Sequence, residues 1–302
     1  MHQTIDLFIQ YLINERRYSP ETARAYDNDL KEFADFIEST GETHYDAITY
    51  QDIRYFIGHL SERNLSRRTI ARKLSSLRAF YKYLTRMGWI ESNPMNLVQY
   101  SVKENVLPDF FYEDELNQLL DAVAHSTSPQ QPLQRAVLET LYATGMRVSE
   151  LSNLTLDQVE FDWGIIRVIG KGDKERIVPL GDIASEALQT YIHGMRQETN
   201  IQQLPNVFVS VTGKVLSPTT IRKLLDTIVE ESGLNLSIHP HKLRHSLATH
   251  LLNNGADLRS VQELLGHEDL SSTQIYTHVT KDKLRQQYLN VFPRANRQSK
   301  EE

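Results

Sequence analysis

The sequence predicts a mainly helical protein of the α+β class. A helical N-terminal unit is followed by a mostly helical second unit that carries a small three-stranded antiparallel sheet. Three observations lead there. Apolar residues recur at spacings of three and four over most of the chain. A run from Asn93-Pro94 to Pro108, with two prolines and no period, interrupts them. Beyond it, one cluster of short apolar stretches alternates with a period of two. A length of 302 residues suits two domains at roughly 100–200 residues each. The N-terminal unit is placed at 1–93, the linker at 94–108, the second unit at 109–295 and a disordered tail at 296–302.

Each element has its own signal. Ile5, Phe8, Ile9, Leu12 and Ile13 mark a first helix. Ser19-Pro20-Glu21 starts a second, with serine as N-cap and proline at the first helical position, and Tyr26, Leu30, Phe33 and Ile37 form its apolar face. Thr49 can cap a third helix, with Ile53, Phe56, Ile57 and Leu60 inward, and Ser66 a fourth from Arg67 to about Arg86. After the linker, helices are expected over Tyr112–Ala124 and Leu133–Ala143. Strands are expected at Val159–Phe161, Ile165–Ile169 and Arg176–Leu180, separated by Asp162-Trp163-Gly164 and Gly170-Lys171-Gly172-Asp173. Helices resume from Ile183, around Thr219–Glu231, and through most of Lys242–Asn290.

Composition narrows the chemistry. The chain has no cysteine, which excludes disulfides, thiolate catalysis and cysteine-based zinc sites. No apolar run approaches the ~20 residues of a membrane span, and the N-terminus lacks a signal-peptide core, so a cytoplasmic protein without membrane partners is expected. The net charge is −6, which on average argues against nucleic acid, but the charge is segregated. Residues 1–105 hold 14 basic and 14 acidic side chains, so the excess acidity belongs to the rest. Residues 63–86 contain eight basic residues and no acidic one. At 100° per residue, Arg67, Arg68, Arg72, Arg78, Lys82 and Arg86 share an arc of roughly 140° opposite Ile70, Leu74, Leu77, Phe80, Tyr81 and Leu84. Small residues Ala71, Ser75 and Ala79 lie on the basic side. The face is either a solvated helix surface or a site of phosphate neutralisation by these six cations.

Four segments of the second unit concentrate Arg, His, Lys and Tyr: Ala143-Thr144-Gly145-Met146-Arg147-Val148-Ser149-Glu150-Leu151, Gly170–Arg176, His239-Pro240-His241-Lys242-Leu243-Arg244-His245, and Leu264–His267 with Ser271–His278. Singly each has an ordinary reading. Arg147 and Glu150 can be a surface pair, Lys171 and Lys174 can solubilise a hairpin, and His267 can sit at a helix C-terminus. His241 and His245 stand four apart, as in zinc helices. However, Lys242-Leu243-Arg244 between them lacks the glutamate of such helices and adds two cations.

In combination and order, these segments resemble the tyrosine recombinase (phage integrase) family, and the Xer recombinases within it most closely. The resemblance spans nearly the whole chain and includes Pro240-His241-Lys242-Leu243-Arg244-His245-Ser246-Leu247-Ala248-Thr249-His250. It implies a SAM-like, core-binding N-terminal domain and a C-terminal catalytic domain. By position, Arg147 matches the family's first arginine, Lys171 its hairpin lysine, His241 and Arg244 its His-x-x-Arg pair, His267 its second histidine and Tyr276 its nucleophile. His278 matches no catalytic position.

The implied reaction is DNA strand exchange through a 3′-phosphotyrosine. Arg147 and Arg244 would grip the non-bridging phosphate oxygens, His241 and His267 would add donors, and Lys171 would protonate the leaving 5′ oxygen. Only about 0.1% of an ordinary tyrosine is phenolate at neutral pH, so a group such as His241 would take the Tyr276 proton. No cluster of carboxylates suited to metal ions is visible, so neither metal nor cofactor is expected. The expected partners are double-stranded DNA bearing a specific recombination site and a tetrameric synaptic complex. A second related recombinase and a septal DNA translocase are further partners the resemblance raises. The C-terminal stretch Lys281–Arg294, with Leu284, Tyr288, Leu289 and Phe292, packs either on its own domain or on a neighbouring protomer. The expected role is resolution of chromosome dimers at the replication terminus during cell division. The alternatives are an integrase of a mobile element and a non-catalytic architectural DNA-binding protein.

Overall fold

A computed structural model describes residues 1–101, 110–170, 175–266, 286 and 288–295. Two compact units divide the chain, Met1–Asn105 and Val106–Glu302. Most of it is helical, with one three-stranded antiparallel sheet among the described residues.

The first unit has four helices: α1 (His2–Asn14), α2 (Pro20–Ser39), α3 (Tyr50–Glu62) and α4 (Arg67–Arg86). Their starts follow from capping chemistry. Ser19 Oγ accepts from the Thr22 N–H at 3.3 Å, ahead of Pro20. Asp52 reaches back to the Thr49 N–H at 2.8 Å, and Ser66 Oγ accepts from the Thr69 N–H at 3.1 Å. Ile5, Phe8, Leu30, Phe33, Ile53, Phe56, Leu74, Leu77 and Phe80 fill one core. Ile13 departs from the apolar pattern of α1 and stands in solvent, whereas Phe33 and Phe56 meet edge to face at 5.0 Å. Pro94–Leu97, at the start of the expected linker, forms a short 3-10 turn packed against α3 and α4.

One polar contact set is buried between α2 and α4. Asp29 is 2% exposed and accepts from Arg72 Nη1, from Lys73 Nζ at 3.0 Å and from Ser76 Oγ at 3.3 Å. Lys73 also reaches Glu32 at 2.6 Å, and Arg63 pairs with the same glutamate. These bonds fix the rotation of α4 on α2, because a buried carboxylate is tolerated only when its lone pairs are filled.

In the second unit, α5 (Glu113–Ala124) precedes α6 (Gln131–Thr144), which is buried along nearly its whole length. The others are α7 (Val148–Asn153), α8 (Asp182–Tyr191), α9 (Pro218–Ser232), α10 (Pro240–Asn253) and α11 (Leu258–Leu265). The sheet runs β1 (Val159–Glu160), β2 (Ile165–Ile169) and β3 (Glu175–Pro179) in spatial order, with Ile166 opposite Val159 and Val178. Ile166, Val168 and Val178 join the main core.

Two interruptions of the helical pattern have physical causes. Helix α10 ends at Asn254-Gly255, where Gly255 takes φ +93°, and α11 begins with Asp257 accepting the Ser260 N–H at 2.9 Å. After α8 the chain passes through a π-helical turn, Ile192–Arg196, kinked at Gly194. The buried Arg196 guanidinium there donates to the carbonyls of Leu204, Asn206 and Val207 at 2.8–3.1 Å. It thereby holds a segment whose ladder contacts, among the described residues, are the isolated bridges Thr155–Asn206 and Val209–Val215.

Of the C-terminal stretch, Tyr288 and Phe292 are buried in this same unit, Tyr288 donating from its hydroxyl to the Ala143 carbonyl at 2.6 Å. Arg294 pairs with Asp121 and Glu139 at 3.1 and 2.9 Å. Leu284 lies outside the described residues. Among the described residues no helix is long and apolar enough to cross a membrane.

The Asp29 contacts generate a prediction. Asp29→Ala leaves Lys73 with only Glu32 and should lower the stability of the first unit by about 3 kcal/mol, read by urea unfolding of the full chain. A loss below about 1 kcal/mol would show that the pair contributes no more than a surface one.

Candidate functional site

The C-terminal end of α6 aims the first arginine. Gly145 follows the helix at φ +57°, and a Cβ there would lie 2.7 Å from Leu265 Cδ2 and 2.8 Å from Leu247 Cδ2. Glycine therefore answers both the left-handed turn and the close approach of α10 and α11. Two residues later Arg147 caps α7, and Glu150 at the third helical position accepts its backbone N–H at 2.7 Å. The same carboxylate accepts Arg147 Nη1 at 2.9 Å.

Glu150 is not the surface partner that i,i+3 spacing suggests. It is buried and takes both ends of a second guanidinium, Arg176 of β3, at 2.9 and 2.8 Å. Burial is the largest single influence on its carboxyl and pushes the pKa up, but the bonds and charges of Arg176 and Arg147 outweigh it and leave the group below the usual range.

Three arginines then converge on three consecutive carbonyls at the end of α11. Arg176 Nε donates to Leu264 at 3.0 Å, Arg244 Nη2 to Leu265, and Arg147 Nη2 approaches Gly266 at 3.4 Å. These are the oxygens a helix C-terminus leaves without internal partners, and they carry the negative end of its dipole. Arg244, from α10, also donates to the Gly145 carbonyl at 2.6 Å. Burial first, and then the charges of Arg147 and Arg176, pull the Arg244 pKa down to about 10, which still leaves it a cation at neutral pH.

His241 lies one turn before Arg244 on α10. Partial burial first, then the charges of His239, Arg244, Arg147 and Arg222, hold its imidazole below the ordinary 6.5. The structure thus brings Arg147, His241 and Arg244 into one electrostatic neighbourhood. Lys171, His267 and Tyr276 lie outside the described residues. Lys171 falls in sequence between β2 and β3, and His267 directly follows Gly266. His245 faces Phe110 instead, with ring centroids 6.0 Å apart.

The sequence suggests for Glu150 only a surface pair with Arg147, and for Arg176 no role. A signal existed, since Glu150 stands where the glutamate of a capping box would be, but an arginine at the cap position hides the pattern. Among the described residues the one group of potential metal ligands is His2, Asp35 and Glu38 in the first unit, where His2 sits 3.2 and 3.7 Å from the two carboxylates.

On α4 the six candidate cations do point away from the core, but they are not equivalent. Arg67, Arg68 and Lys82 are exposed and make no hydrogen bond or ion pair with described residues. Arg72 is paired with Asp29, Arg78 donates to the Val98 carbonyl at 3.1 Å, and Arg86 bonds Tyr11 Oη at 2.8 Å. The face that reads as unmixed along the sequence is thus neutralised at one point, Arg72, by Asp29 of α2.

Comparison with known proteins accounts for both units. Residues 109–283 match the model of the phage integrase family, and residues 5–88 that of the phage integrase N-terminal SAM-like domain. The tyrosine recombinase XerC of Oceanobacillus iheyensis is 49% identical over 295 residues, 97% of this chain and 96% of that protein. This chain belongs to the tyrosine recombinases of the phage integrase family. It is a site-specific recombinase, an enzyme that cleaves and rejoins DNA. The fold agrees with solved recombinases of low identity. An integrase of the Tn1549 transposon, in complex with transposon right end DNA, matches at 19% identity with a TM-score of 0.73, covering 99% of this chain and 96% of that one. A lambda integrase tetramer bound to a Holliday junction matches at 20% identity with a TM-score of 0.65, covering 91% and 80%.

The surroundings of His241 set its titration. In the DNA-free recombinase its ring protons should titrate below pH 6.5 in an NMR experiment, leaving it mostly neutral at pH 7. Because the folded value lies below the unfolded one, the associated stability is complete above 6.5 and is lost as the pH falls through the folded value. A midpoint above 6.5 would contradict this packing.

Proposed function

We propose that this recombinase resolves chromosome dimers at a specific site near the replication terminus, using Tyr276 as its nucleophile. The observation that carries the reading is the convergence of Arg147 and Arg244 at the end of α11, on the carbonyls one and two residues before His267. Two guanidiniums held by carbonyls and one carboxylate form a prepaid electrostatic site for a phosphate.

In this reading Arg147 and Arg244 hold the non-bridging oxygens of the scissile phosphate, and His241 and His267 add donors. Tyr276 attacks phosphorus while its proton passes to a neighbouring base, for which a neutral His241 is suited. Lys171 protonates the 5′ oxygen as it leaves. The phosphotyrosine bond conserves the energy of the broken linkage, so a 5′ hydroxyl from a second duplex can reverse the step. The relatives in complex with DNA, one of them a tetramer on a Holliday junction, support duplex DNA as partner and a four-protomer synapse. A second related recombinase, a septal translocase and a cytoplasmic location complete the proposal.

The domain division proposed is 1–93 for the core-binding domain, 94–108 for the linker and 109–295 for the catalytic domain. Within the first, α4 supplies the DNA contact, with Arg67, Arg68 and Lys82 as its uncommitted charges. Arg72, Arg78 and Arg86 contribute through side chains already anchored to the protein.

Tyr276→Phe should abolish the covalent protein–DNA band on a nicked suicide substrate bearing the terminus site, with and without a second recombinase, while DNA affinity stays within about threefold. A persisting band would refute the nucleophile. Replacing Arg67, Arg68 or Lys82 by alanine should each lower the slope of log K against log salt by about one. Slopes unchanged in all three variants would remove α4 from the phosphate contacts.

A further inference from the structure

We propose that Arg176 is a positioning residue for the cleavage reaction, holding the Arg147 fork in place through Glu150. The inference rests on Arg147 acting as a phosphate donor, as proposed above, and adds a residue that the recombinase reading does not use.

Arg176 is 8% exposed and spends its donors inside the protein. Nη1 and Nη2 engage the two oxygens of Glu150, and Nε engages the Leu264 carbonyl. Glu150 is thereby saturated. Oε1 accepts from Arg176 Nη1 and Arg147 Nη1, and Oε2 from Arg176 Nη2 and the Arg147 N–H. A carboxylate with four donors has one orientation, and Arg147 takes its direction from it. Gly266 closes the arrangement, since a Cβ there would lie 3.1 Å from Arg176 Cδ and 3.3 Å from its Nε.

The same guanidinium also links segments far apart in sequence. It stands on β3, five residues after Lys171. It bonds the end of α11, where Leu264 lies three residues before His267, and through Glu150 it reaches the cap of α7. Lysine cannot replace it, because one ammonium cannot serve both oxygens of Glu150 and a carbonyl along a rigid fork.

The test uses full-length protein and two suicide duplexes. One carries an ordinary scissile phosphate. The other carries a methylphosphonate, in which a methyl replaces one charged oxygen and leaves little charge to neutralise. With saturating DNA, Arg176→Met should slow covalent complex formation about 100-fold on the phosphate, the scale of a misplaced catalytic group. On the methylphosphonate the loss should be less than about tenfold, with DNA affinity within about threefold of wild type.

Arg147→Ala, measured in parallel, should show the same selectivity for the charged substrate. If Arg176→Met does not fold, Arg176→Lys is read by the same ratio. Equal losses on both substrates, or no loss, with Arg147→Ala still selective, would overturn the positioning role. An Arg147→Ala variant without selectivity would overturn the assignment of Arg147 itself, and this inference with it.

Discussion

The second unit depends on one electrostatic arrangement, a buried carboxylate flanked by guanidiniums at the end of a helix. Arg147, Arg176 and Arg244 would repel one another if gathered in a dry corner without anions. Glu150 supplies one full negative charge between two of them, and the carbonyls of Leu264, Leu265 and Gly266 supply the negative end of the α11 dipole. The cost of assembling positive charge is met during folding, before any DNA arrives. A phosphate then meets donors whose directions are already set, so little reorganisation accompanies charge development in the transition state.

The first unit treats charge in the opposite manner. There the buried carboxylate, Asp29, pairs with Arg72 and the buried Lys73 and fixes the rotation of α4, while Arg67, Arg68 and Lys82 stay in water. One helix therefore carries two kinds of cation. Those near α2 define which face points outward, and those beyond reach of its acids keep their charge for a partner. This division explains how a chain of net charge −6 presents a basic face.

Much of this was legible in the sequence, and the reasons are local. Ser19-Pro20, Thr49 and Ser66 announced their helices because capping requires only nearby residues. Alternation announced β2 and β3, although β1 is only two residues long. Arg147, His241 and Arg244 were recognised by resemblance, and the structure places them near one another. The burial of Glu150 was not legible, because it depends on Arg176 arriving from β3 and on α11 covering both. Nor was the pairing of Arg72 with Asp29, which lie 43 residues apart.

Arg196 shows the same device with no catalysis attached, a guanidinium laid across a row of carbonyl oxygens. Such clasps share a property that a carboxylate–lysine or histidine joint lacks. A guanidinium does not release its proton in the range where duplex DNA is intact, and even Arg244, the most perturbed, stays charged until about pH 10. The guanidinium clasps around the phosphate site therefore keep their charge, and Glu150, held below the usual carboxylate range by Arg176 and Arg147, keeps its own in mild acid. Imidazoles such as His241 and the buried His250 are left as the titrating parts, so a response of the enzyme to mild acid starts at them.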